Sequence, residues 1–470
     1  MSSGAPASVR SALADAAPIS FWLDSPERPS AAPPLAADTR CDLAVVGAGY
    51  TGLWTALLAK EADPARDVLL IEGHTTGWAA SGRNGGVCAS SLTHGLANGI
   101  DRFPDEMAQL DRLGRENLDA IEAAVGWYGI DCGFERTGEL SVATEPHQLA
   151  WLRDAVTTAR EFGHDAVLLG TDQVRAEIHS PTYLGASWHK DRTALLDPAR
   201  LAWGLRAACE RGGVRIAEGT EVTAMARDGA GVRLATAGPS VRAGQVALAT
   251  NAFRPLLRRV RPYVVPVYDY VLMTEPLSAE QLASIGWRNR QGVGDVTNQF
   301  HYYRLTHDNR ILWGGYDAIY HFGNGLRDEL DQRPATFELL ARHFFATFPQ
   351  LSGLRFTHRW GGAIDTSTRF FAFQRTALGG RVAYSVGYTG LGVAATRFGA
   401  QVMLDLLDGR ESEATRLRAT RRRPLPFPPE PVRYAGIALT RRALARADER
   451  QGRRGLWLRA LDRLGMGFDT

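Results

Sequence analysis

Three glycines with the spacing of a phosphate-binding turn stand near the start of the chain. Gly47, Gly49 and Gly52 follow the apolar run 43–46 and precede the helix-forming stretch 53–59, so a strand turns tightly into a helix. In such a turn the first glycine makes the bend, the second lets the backbone approach a pyrophosphate, and the third allows close helix–strand packing. The helix start adds unpaired N–H groups and a partial positive charge. The pattern predicts dinucleotide binding.

The glycine spacing alone is weak evidence, because 49 of the 470 residues are glycine. Its context strengthens it. Residues 67–72 form a second apolar run that ends in Glu72, 25 residues after Gly47. A dinucleotide fold places a carboxylate there to bind the hydroxyl pair of a ribose. Because a carboxylate disfavours a 2′-phosphate, FAD or NAD is favoured over NADP.

The segment after Glu72, residues 73–86, is too rich in glycine for a helix. One interpretation is a flexible surface loop. The other is a ribbon of backbone that closes over the cofactor, with the Ser81 side chain and the N–H groups near Arg83 and Asn84 facing phosphate or ring atoms. The number of glycines favours the ribbon.

A short stretch near the far end repeats part of the phosphate-binding turn. Tyr50-Thr-Gly-Leu53 recurs as Tyr388-Thr-Gly-Leu391, and each copy follows an apolar run and precedes a helix, here residues 393–407. Four shared residues can arise by chance, but both copies place a helix start where an anion could bind. One pyrophosphate needs one such site. A flavin, whose reduced ring carries negative charge, gives a reason for two.

Composition and charge narrow the class of protein. A 470-residue chain that is 45% hydrophobic can bury a large core and favours two domains. Its net charge of +3 gives no electrostatic case for a nucleic-acid partner.

With no apolar run long enough for a signal peptide or a transmembrane segment, we expect a cytoplasmic protein. The four cysteines lie 44 or more residues apart, which predicts neither disulfides nor a zinc cluster. We expect no metal, because the histidines are scattered: His301, His307, His321, His343 and His358.

The middle of the chain predicts a second, antiparallel layer. Helical periodicity at 107–130 and 148–162 flanks a β-prone stretch at 134–144. Strong alternation follows at 263–274, and residues 300–316 resemble a hairpin rich in aromatic residues. Most of these aromatic side chains should pack within the sheet, and the remainder should line a substrate pocket. The best candidates for that wall are Tyr268, Tyr270, Tyr303 and Trp360.

These motifs together resemble a known family. The glycine turn with Glu72, the loop Gly77-Trp-Ala-Ala-Ser-Gly-Arg-Asn-Gly-Gly86 and the helix start Tyr388-Thr-Gly-Leu-Gly-Val393 are similar to the D-amino-acid oxidase superfamily of FAD enzymes. The chain looks most like its branch of gamma-glutamylputrescine oxidases and aminophosphonate oxidoreductases. The resemblance implies an α+β fold, in which a Rossmann-like α/β FAD-binding domain with a mixed, sequence-discontinuous sheet accompanies a substrate domain built on an antiparallel sheet.

The resemblance also implies which residues hold the cofactor. Members of the superfamily can attach flavin covalently through Cys or His, but Cys88 and His74 match no such pattern, so we expect non-covalent FAD. The implied contacts are Gly47, Gly49, Thr51 and Gly52 at the pyrophosphate; Glu72 at the adenosine ribose; Ser81, Arg83, Asn84, Gly85 and Gly86 at the middle of the flavin; Val222 at adenine; and Gly390, Leu391, Gly392 and Val393 at the flavin carbonyl.

The expected domains are discontinuous in sequence. We assign residues 40–106, 190–262 and 355–410 to the FAD-binding domain, and residues 107–189 and 263–354 to the substrate domain. The ends of the chain stand apart. Residues 1–39 look like a loose lead-in with a docking anchor at 21–23, and residues 411–470 look like a basic strap and helix. That tail either meets an acidic membrane or partner, or lies back on the body, which the helical periodicity at 457–464 favours.

The implied activity is oxidation of a C–N bond in a small-molecule amine to an imine, with O2 or another acceptor reoxidising the flavin. The Arg-plus-Tyr carboxylate clamp of amino-acid oxidases is not recognisable, which places amino-acid substrates in doubt. Two alternatives remain open. One is a flavin dehydrogenase of a hydroxy compound, and the other is a non-catalytic FAD-binding protein.

Overall fold

The computed structural model describes residues 7–466 as two large sheets and the two-stranded sheet of residues 87–89 and 193–195, with helices around them. The strands are β1 (Thr39–Val46), β2 (Val68–Ile71), β3 (Val87–Ala89), β4 (Glu139–Ala143), β5 (Ala166–Leu169), β6 (Gly185–His189), β7 (Thr193–Leu195), β8 (Arg215–Ala217), β9 (Ala224–Asp228), β10 (Gly231–Ala235), β11 (Val241–Leu248), β12 (Val265–Thr274), β13 (Gly292–Asp295), β14 (His301–Leu305), β15 (Ile311–Gly315), β16 (Ile319–Tyr320), β17 (Phe356–Thr366), β18 (Phe373–Ala377) and β19 (Val382–Val386). The α-helices are α1 (Ala7–Leu13), α2 (Tyr50–Ala62), α3 (Leu96–Arg102), α4 (Met107–Tyr128), α5 (Gln148–Glu161), α6 (Thr171–Glu177), α7 (Pro198–Arg211), α8 (Ala279–Ile285), α9 (Pro334–Thr347), α10 (Gly392–Leu407), α11 (Glu413–Arg416), α12 (Arg418–Arg421), α13 (Val432–Glu449) and α14 (Leu456–Arg463).

The first sheet has the strand order β18-β19-β11-β1-β2-β8, with the β9–β10 hairpin attached to β11. The neighbours from β19 to β8 are parallel, whereas β18 is antiparallel to β19. Fully buried β-branched and leucine side chains of β1 and β2 pack under α2, α7 and α10. The predicted Rossmann-like unit with a mixed, sequence-discontinuous sheet is confirmed.

The second sheet has the order β16-β12-β15-β14-β13-β4-β6-β5, and β17 pairs with the free side of β12. Its neighbours are antiparallel except for β13 and β4. One face packs against α1, α6, α8 and α9, and the other lines a cavity. The expected antiparallel layer is confirmed, and the helices predicted at 107–130 and 148–162 are present as α4 and α5.

One strand lies in a different sheet from the one we assigned. We placed residues 355–410 in the FAD-binding domain, but β17 pairs with β12 from Thr274 to Val265 and so belongs to the second sheet. The physical reason is the length of β12. Its neighbours on the other side, β15 and β16, satisfy one edge, and without β17 its other edge would leave backbone N–H and C=O groups unpaired. The chain returns to the first sheet only at Phe373.

The lead-in is not loose over the residues that the structure describes. Helix α1 packs against α9, with Val9, Ala12 and Leu13 buried. The many alanines of this segment suggest a loose chain, but alanine is also the strongest helix former. Further along, Trp22 is 4% exposed and its indole N–H donates to the Asn84 carbonyl at 2.9 Å. The N-terminal segment therefore supports the loop that follows Glu72.

The basic tail lies back on the body. Helix α13 contributes one face to the cavity, and the Asp448 carboxylate near its end accepts hydrogen bonds from the backbone N–H groups of Asn298 and Gln299 at 3.0 and 3.2 Å. The Arg441 guanidinium donates to Asp317 Oδ1 at 2.6 Å. Among residues 7–466, no helix is both long and apolar enough to span a membrane.

We predict that Trp22→Ala lowers the free energy of unfolding by about 3 to 5 kcal/mol, because a large buried ring is removed from a packed cluster. The matched control is Trp127→Ala, since the Trp127 side chain is 85% exposed and its loss should change stability by less than about 0.5 kcal/mol. Urea unfolding of both variants measures the difference. Equal stabilities would show that the N-terminal anchor is not bound to the body.

Candidate functional site

A continuous cavity of about 2230 Å3 is lined by residues of both sheets. Most of the predicted cofactor residues reach it. Those that line it are Gly47, Gly49, Thr51, Glu72, Ser81, Arg83, Asn84, Gly85, Val222, Gly390, Leu391, Gly392 and Val393. Gly52 and Gly86 do not line it, and they act through packing instead.

The glycine turn has the geometry expected of each glycine. Gly47 has a φ of +105°, and a Cβ there would lie 2.6 Å from the Ala249 carbonyl oxygen. A Cβ on Gly52 would lie 1.8 Å from the Gly47 carbonyl oxygen, so only glycine lets α2 approach β1 this closely. Gly49 is the residue before α2 and faces the cavity. The N–H groups of the first turn of α2 therefore point toward a site open to an anion.

Glu72 organises the same turn. Its Oε2 accepts a hydrogen bond from the Ala48 N–H at 2.7 Å, and its Oε1 accepts from the His74 N–H at 2.9 Å and the Trp78 indole at 3.2 Å. Glu72 is 8% exposed and lines the cavity. Val222 lines the cavity on the loop after β8.

The loop 73–86 is held as an ordered ribbon. Ser81 Oγ accepts a hydrogen bond from the Tyr50 N–H at 3.0 Å, which ties the loop to the start of α2. Asn84 Oδ1 accepts from the Gly86 N–H at 2.8 Å, and the Arg83 side chain pairs with Asp331. Gly86 has a φ of +70°, and a Cβ there would lie 2.1 Å from the Leu196 carbonyl oxygen. The side chains of Arg83 and Asn84 therefore already have partners within the protein.

The second helix start faces the same cavity. Gly390 has a φ of +89°, and α10 begins at Gly392. Asp365, which is 2% exposed, accepts a hydrogen bond on Oδ2 from the Gly387 N–H at 2.6 Å, and its carbonyl accepts from the Thr389 N–H at 3.1 Å. Burial raises the pKa of the Asp365 carboxyl to about 7. This residue thus orients the backbone that precedes α10.

The structure separates the four members of the predicted aromatic wall. Of its four members, Tyr268 lines the cavity. The Tyr270 hydroxyl donates to the Leu330 carbonyl at 2.9 Å, the Tyr303 hydroxyl pairs with Tyr183 in the core, and the Trp360 indole donates to the Arg83 carbonyl at 2.8 Å. Aromatic residues occupy both faces of these strands. Alternation alone does not reveal which face is the cavity side.

The cavity side of the sheet carries residues that the sequence reasoning missed. The Tyr302 hydroxyl donates to Asp269 Oδ2 at 2.6 Å, and both residues line the cavity. Burial raises the pKa of the Asp269 carboxyl to about 6. Cβ atoms placed on Gly85 and Gly314 would each lie 2.7 Å from the Tyr302 ring, so this ring lies where the loop 73–86 meets the second sheet. In the sequence, the signal for this pair was Asp269, an acid at the centre of the apolar strand β12.

Two of the histidines that are scattered in the sequence, His301 and His343, lie within hydrogen-bond distance of each other. His301 Nδ1 lies 2.7 Å from Asp295 Oδ2, and His301 Nε2 lies 2.9 Å from His343 Nδ1. Burial lowers the pKa of His343 to about 4. Across the described residues, no group of three or more His, Cys, Asp or Glu side chains is arranged to hold a metal. The four cysteines, all within residues 7–466, are free and buried, and Cys88 does not line the cavity.

Comparison with known proteins gives one family. Residues 42–406 match the DAO family model, described as FAD dependent oxidoreductase. The gamma-glutamylputrescine oxidoreductase of Escherichia coli K12 is 34% identical over 397 residues, which cover 83% of this chain and 88% of that protein. A probable oxidoreductase OrdL of Haemophilus influenzae is 27% identical over 401 residues, with coverage of 83% and 88%. The glycine oxidase structure from Geobacillus kaustophilus superposes with a TM-score of 0.68 at 19% identity, covering 80% of this chain and 96% of that one.

We predict that Gly52→Ala abolishes stoichiometric FAD binding, because its Cβ would collide with the Gly47 carbonyl and displace the phosphate-binding turn. Gly126→Ala in α4 is the matched control, since its Cβ would meet no atom within 4 Å. The ratio of flavin absorbance to protein absorbance after purification measures the effect. Full flavin content in Gly52→Ala would contradict the assignment of this turn.

Proposed function

The chain belongs to the DAO family of FAD-dependent oxidoreductases, and on that premise we propose that it oxidises a C–N bond of an amine. The amine loses two electrons and two protons to give an imine, which water converts to an aldehyde or ketone and a smaller amine or ammonia. O2 or another acceptor takes up the electrons. The relative at 34% identity is named for an amine substrate, which supports this choice.

The residues of the cavity fit FAD. The helix starts at Gly49 and Gly392 offer N–H groups to the pyrophosphate and to the pyrimidine end of the ring, and Glu72 offers a carboxylate to the ribose. We propose non-covalent binding, because Cys88 lies outside the cavity lining and His74, which lines it, packs against the Trp78 ring and matches no attachment pattern. When bound, FAD supplies the two-electron acceptor that side chains lack.

The observation that carries the amine assignment is the Asp269–Tyr302 pair on the cavity side of the sheet. A carboxyl with a pKa of about 6 is anionic at neutral pH and attracts a protonated amine. The Tyr302 ring lines the same cavity, and aromatic rings favour a nearby cation. The carboxylate can then accept the proton that the ammonium must lose before its C–N bond is oxidised.

The residues around Asp269 make the cavity wall beside it apolar and fix the orientation of its carboxylate. Val267 and Val271, on either side of Asp269 in β12, line the same cavity and make its wall apolar. The Tyr270 N–H donates to Asp269 Oδ1 at 2.8 Å, so both carboxylate oxygens have fixed donors. A fixed carboxylate in an apolar wall is worth more to a bound cation than a solvated one.

Anaerobic mixing of the purified holoenzyme with amines, amino acids and hydroxy acids tests the proposal through loss of the flavin absorbance band. Reduction by amines and not by hydroxy acids is the expected result. Reduction by hydroxy acids alone would assign a hydroxy-compound dehydrogenase. Reduction by none of these compounds would favour a non-catalytic FAD-binding protein.

Neighbouring tyrosines provide a matched pair of variants. We predict that Tyr302→Phe lowers kcat/KM for amines by about tenfold or more, because Asp269 loses a hydrogen bond that holds it as a carboxylate. Tyr303→Phe removes a hydroxyl from the opposite, core face of the same strand and should leave kcat/KM within about twofold. Steady-state kinetics of both variants make the comparison. Equal effects on kcat/KM would remove Tyr302 from the site.

A further inference from the structure

The outer face of the last two helices concentrates exposed apolar side chains. Within residues 7–466 twelve large apolar side chains are exposed, and six of them lie in the short stretch 432–464. These six, with exposed fractions between 38% and 81%, are Val432, Tyr434, Leu439, Leu456, Trp457 and Leu464. Phe322 is also exposed and adjoins them, because its ring packs edge-on against that of Tyr434 at 5.9 Å. Exposed apolar side chains clustered in this way mark an interaction surface.

Helix α14 separates two kinds of side chain on its solvent face. Leu456, Ala460 and Leu464 recur every fourth residue and form one exposed stripe. Arg459 and Arg463, also exposed and four residues apart, form the stripe beside it. The opposite face of the helix lines the cavity. Leucine and arginine stripes side by side are typical of a helix that lies in a membrane interface.

Helix α13 extends the same surface. One of its faces lines the cavity, and along the opposite face the exposed Leu439 is followed by Arg442 and Arg446, both exposed. The two helices are joined where the Trp457 indole donates to the Thr440 hydroxyl at 3.0 Å. Because each helix turns one face to the cavity, their exposed faces both point away from it.

Positive charge is concentrated in the same segment. Residues 431–466 contain nine arginines and three acids, whereas the whole chain has a net charge of +3, so the rest of the chain is net negative. Two of the three acids have partners. Asp448 accepts hydrogen bonds from the backbone N–H groups of residues 298 and 299, and Asp462 lies 3.2 Å from the Arg454 guanidinium. This uneven charge favours an anionic partner and orients the molecule toward it.

We propose that the outer face of α13 and α14, together with Phe322, docks on an anionic phospholipid membrane. The arginine guanidinium groups meet lipid phosphates, while the leucine and aromatic side chains enter the boundary between headgroups and acyl chains. The inner faces of the same helices line the cavity, so a docked molecule holds its cavity close to the membrane surface. The docking does not depend on which compound the flavin oxidises.

Two other occupants fit this face less well. A second copy of the same face would bring the same arginines together, and like charges oppose that pairing. An acidic protein would need apolar residues of its own in positions that match the leucine stripe. A membrane offers phosphates and an apolar layer side by side over the whole face, and therefore satisfies both stripes of α14 together.

Sedimentation of the purified holoenzyme with two kinds of vesicle tests the docking. One kind is phosphatidylcholine alone, and the other contains about 30% phosphatidylglycerol as the anionic lipid. The apparent Kd should be at least about tenfold lower for the anionic vesicles, and raising NaCl from about 0.1 M to about 0.5 M should release most of the bound protein, because salt screens exposed charges. Equal affinity for both kinds of vesicle, or binding to neither, would overturn the proposal.

Two double variants separate the contributions of charge and apolar contact. Arg459→Glu/Arg463→Glu should raise the Kd for anionic vesicles at least about tenfold, because attraction to the headgroups becomes repulsion. Leu456→Ser/Leu464→Ser should raise it by a similar factor, because two side chains no longer enter the apolar layer. All four side chains are exposed, so flavin content and Tm should stay at the wild-type values.

The matched controls lie on other parts of the surface. Arg115→Glu/Arg233→Glu makes the same change of net charge at exposed positions of α4 and β10, and Trp127→Ser removes an exposed apolar side chain from α4. Both controls should bind anionic vesicles as the wild type does. If they weaken binding as much as the α14 variants, this face is not the docking surface and the proposal falls.

Two further measurements identify the other occupants. Light scattering reports the oligomeric state, and a dimer that dissociates in Leu456→Ser/Leu464→Ser would assign the face to a second copy of the chain. Retention on immobilised polyglutamate without binding to anionic vesicles would assign it to an acidic protein. Either result would overturn membrane docking.

Discussion

The structure depends on one contact between two helix starts that are remote in sequence. The Thr51 hydroxyl at the start of α2 donates to the Tyr388 hydroxyl at 3.1 Å, across 337 positions of the chain, and Tyr388 OH also lies 2.6 Å from Ser385 Oγ. All three residues are buried. Behind this contact α2 packs along α10, so the positive ends of both helices face one cavity. Two converging helix starts without an anion would repel, and this constraint explains why the cavity suits a dinucleotide that carries charge at two places.

The same contact explains why the first domain is split in sequence. The first strand–helix unit and the last one must meet. The chain between them enters the second sheet at β4–β6, returns to the first at β8–β11, and enters the second again at β12–β17 before it reaches β18. Local patterns were sufficient to predict each end, because glycine spacing, apolar runs and caps are properties of a few consecutive residues. The position of β17 was not predictable in this way. Its sheet is decided by the free edge of β12, which lies 91 positions earlier when Val265 is compared with Phe356.

The same distinction between local and long-range information explains why the cofactor residues were easier to predict than the substrate residues. Gly47 to Glu72 form a contiguous pattern with a mechanism for each position, whereas the substrate wall depends on which face of a strand meets the cavity. Tyr302 and Tyr303 are adjacent tyrosines on opposite faces of β14. Tyr302 lines the cavity and Tyr303 lies in the core, so a shift of one position along the strand moves a side chain from one to the other.

Elements inside and outside the matched family range line the same cavity. Asp269 and the loop 73–86 lie within the range of 42–406, while α13 and α14, which also line the cavity, lie beyond it. Polar contacts hold α13 against the second domain: Asp448 bonds to residues 298 and 299, and Arg441 bonds to Asp317. Changes in α13 and α14 can therefore reshape the cavity without altering any residue within the family range. Relatives that share the family range can thus differ in the part of the cavity that these two helices line.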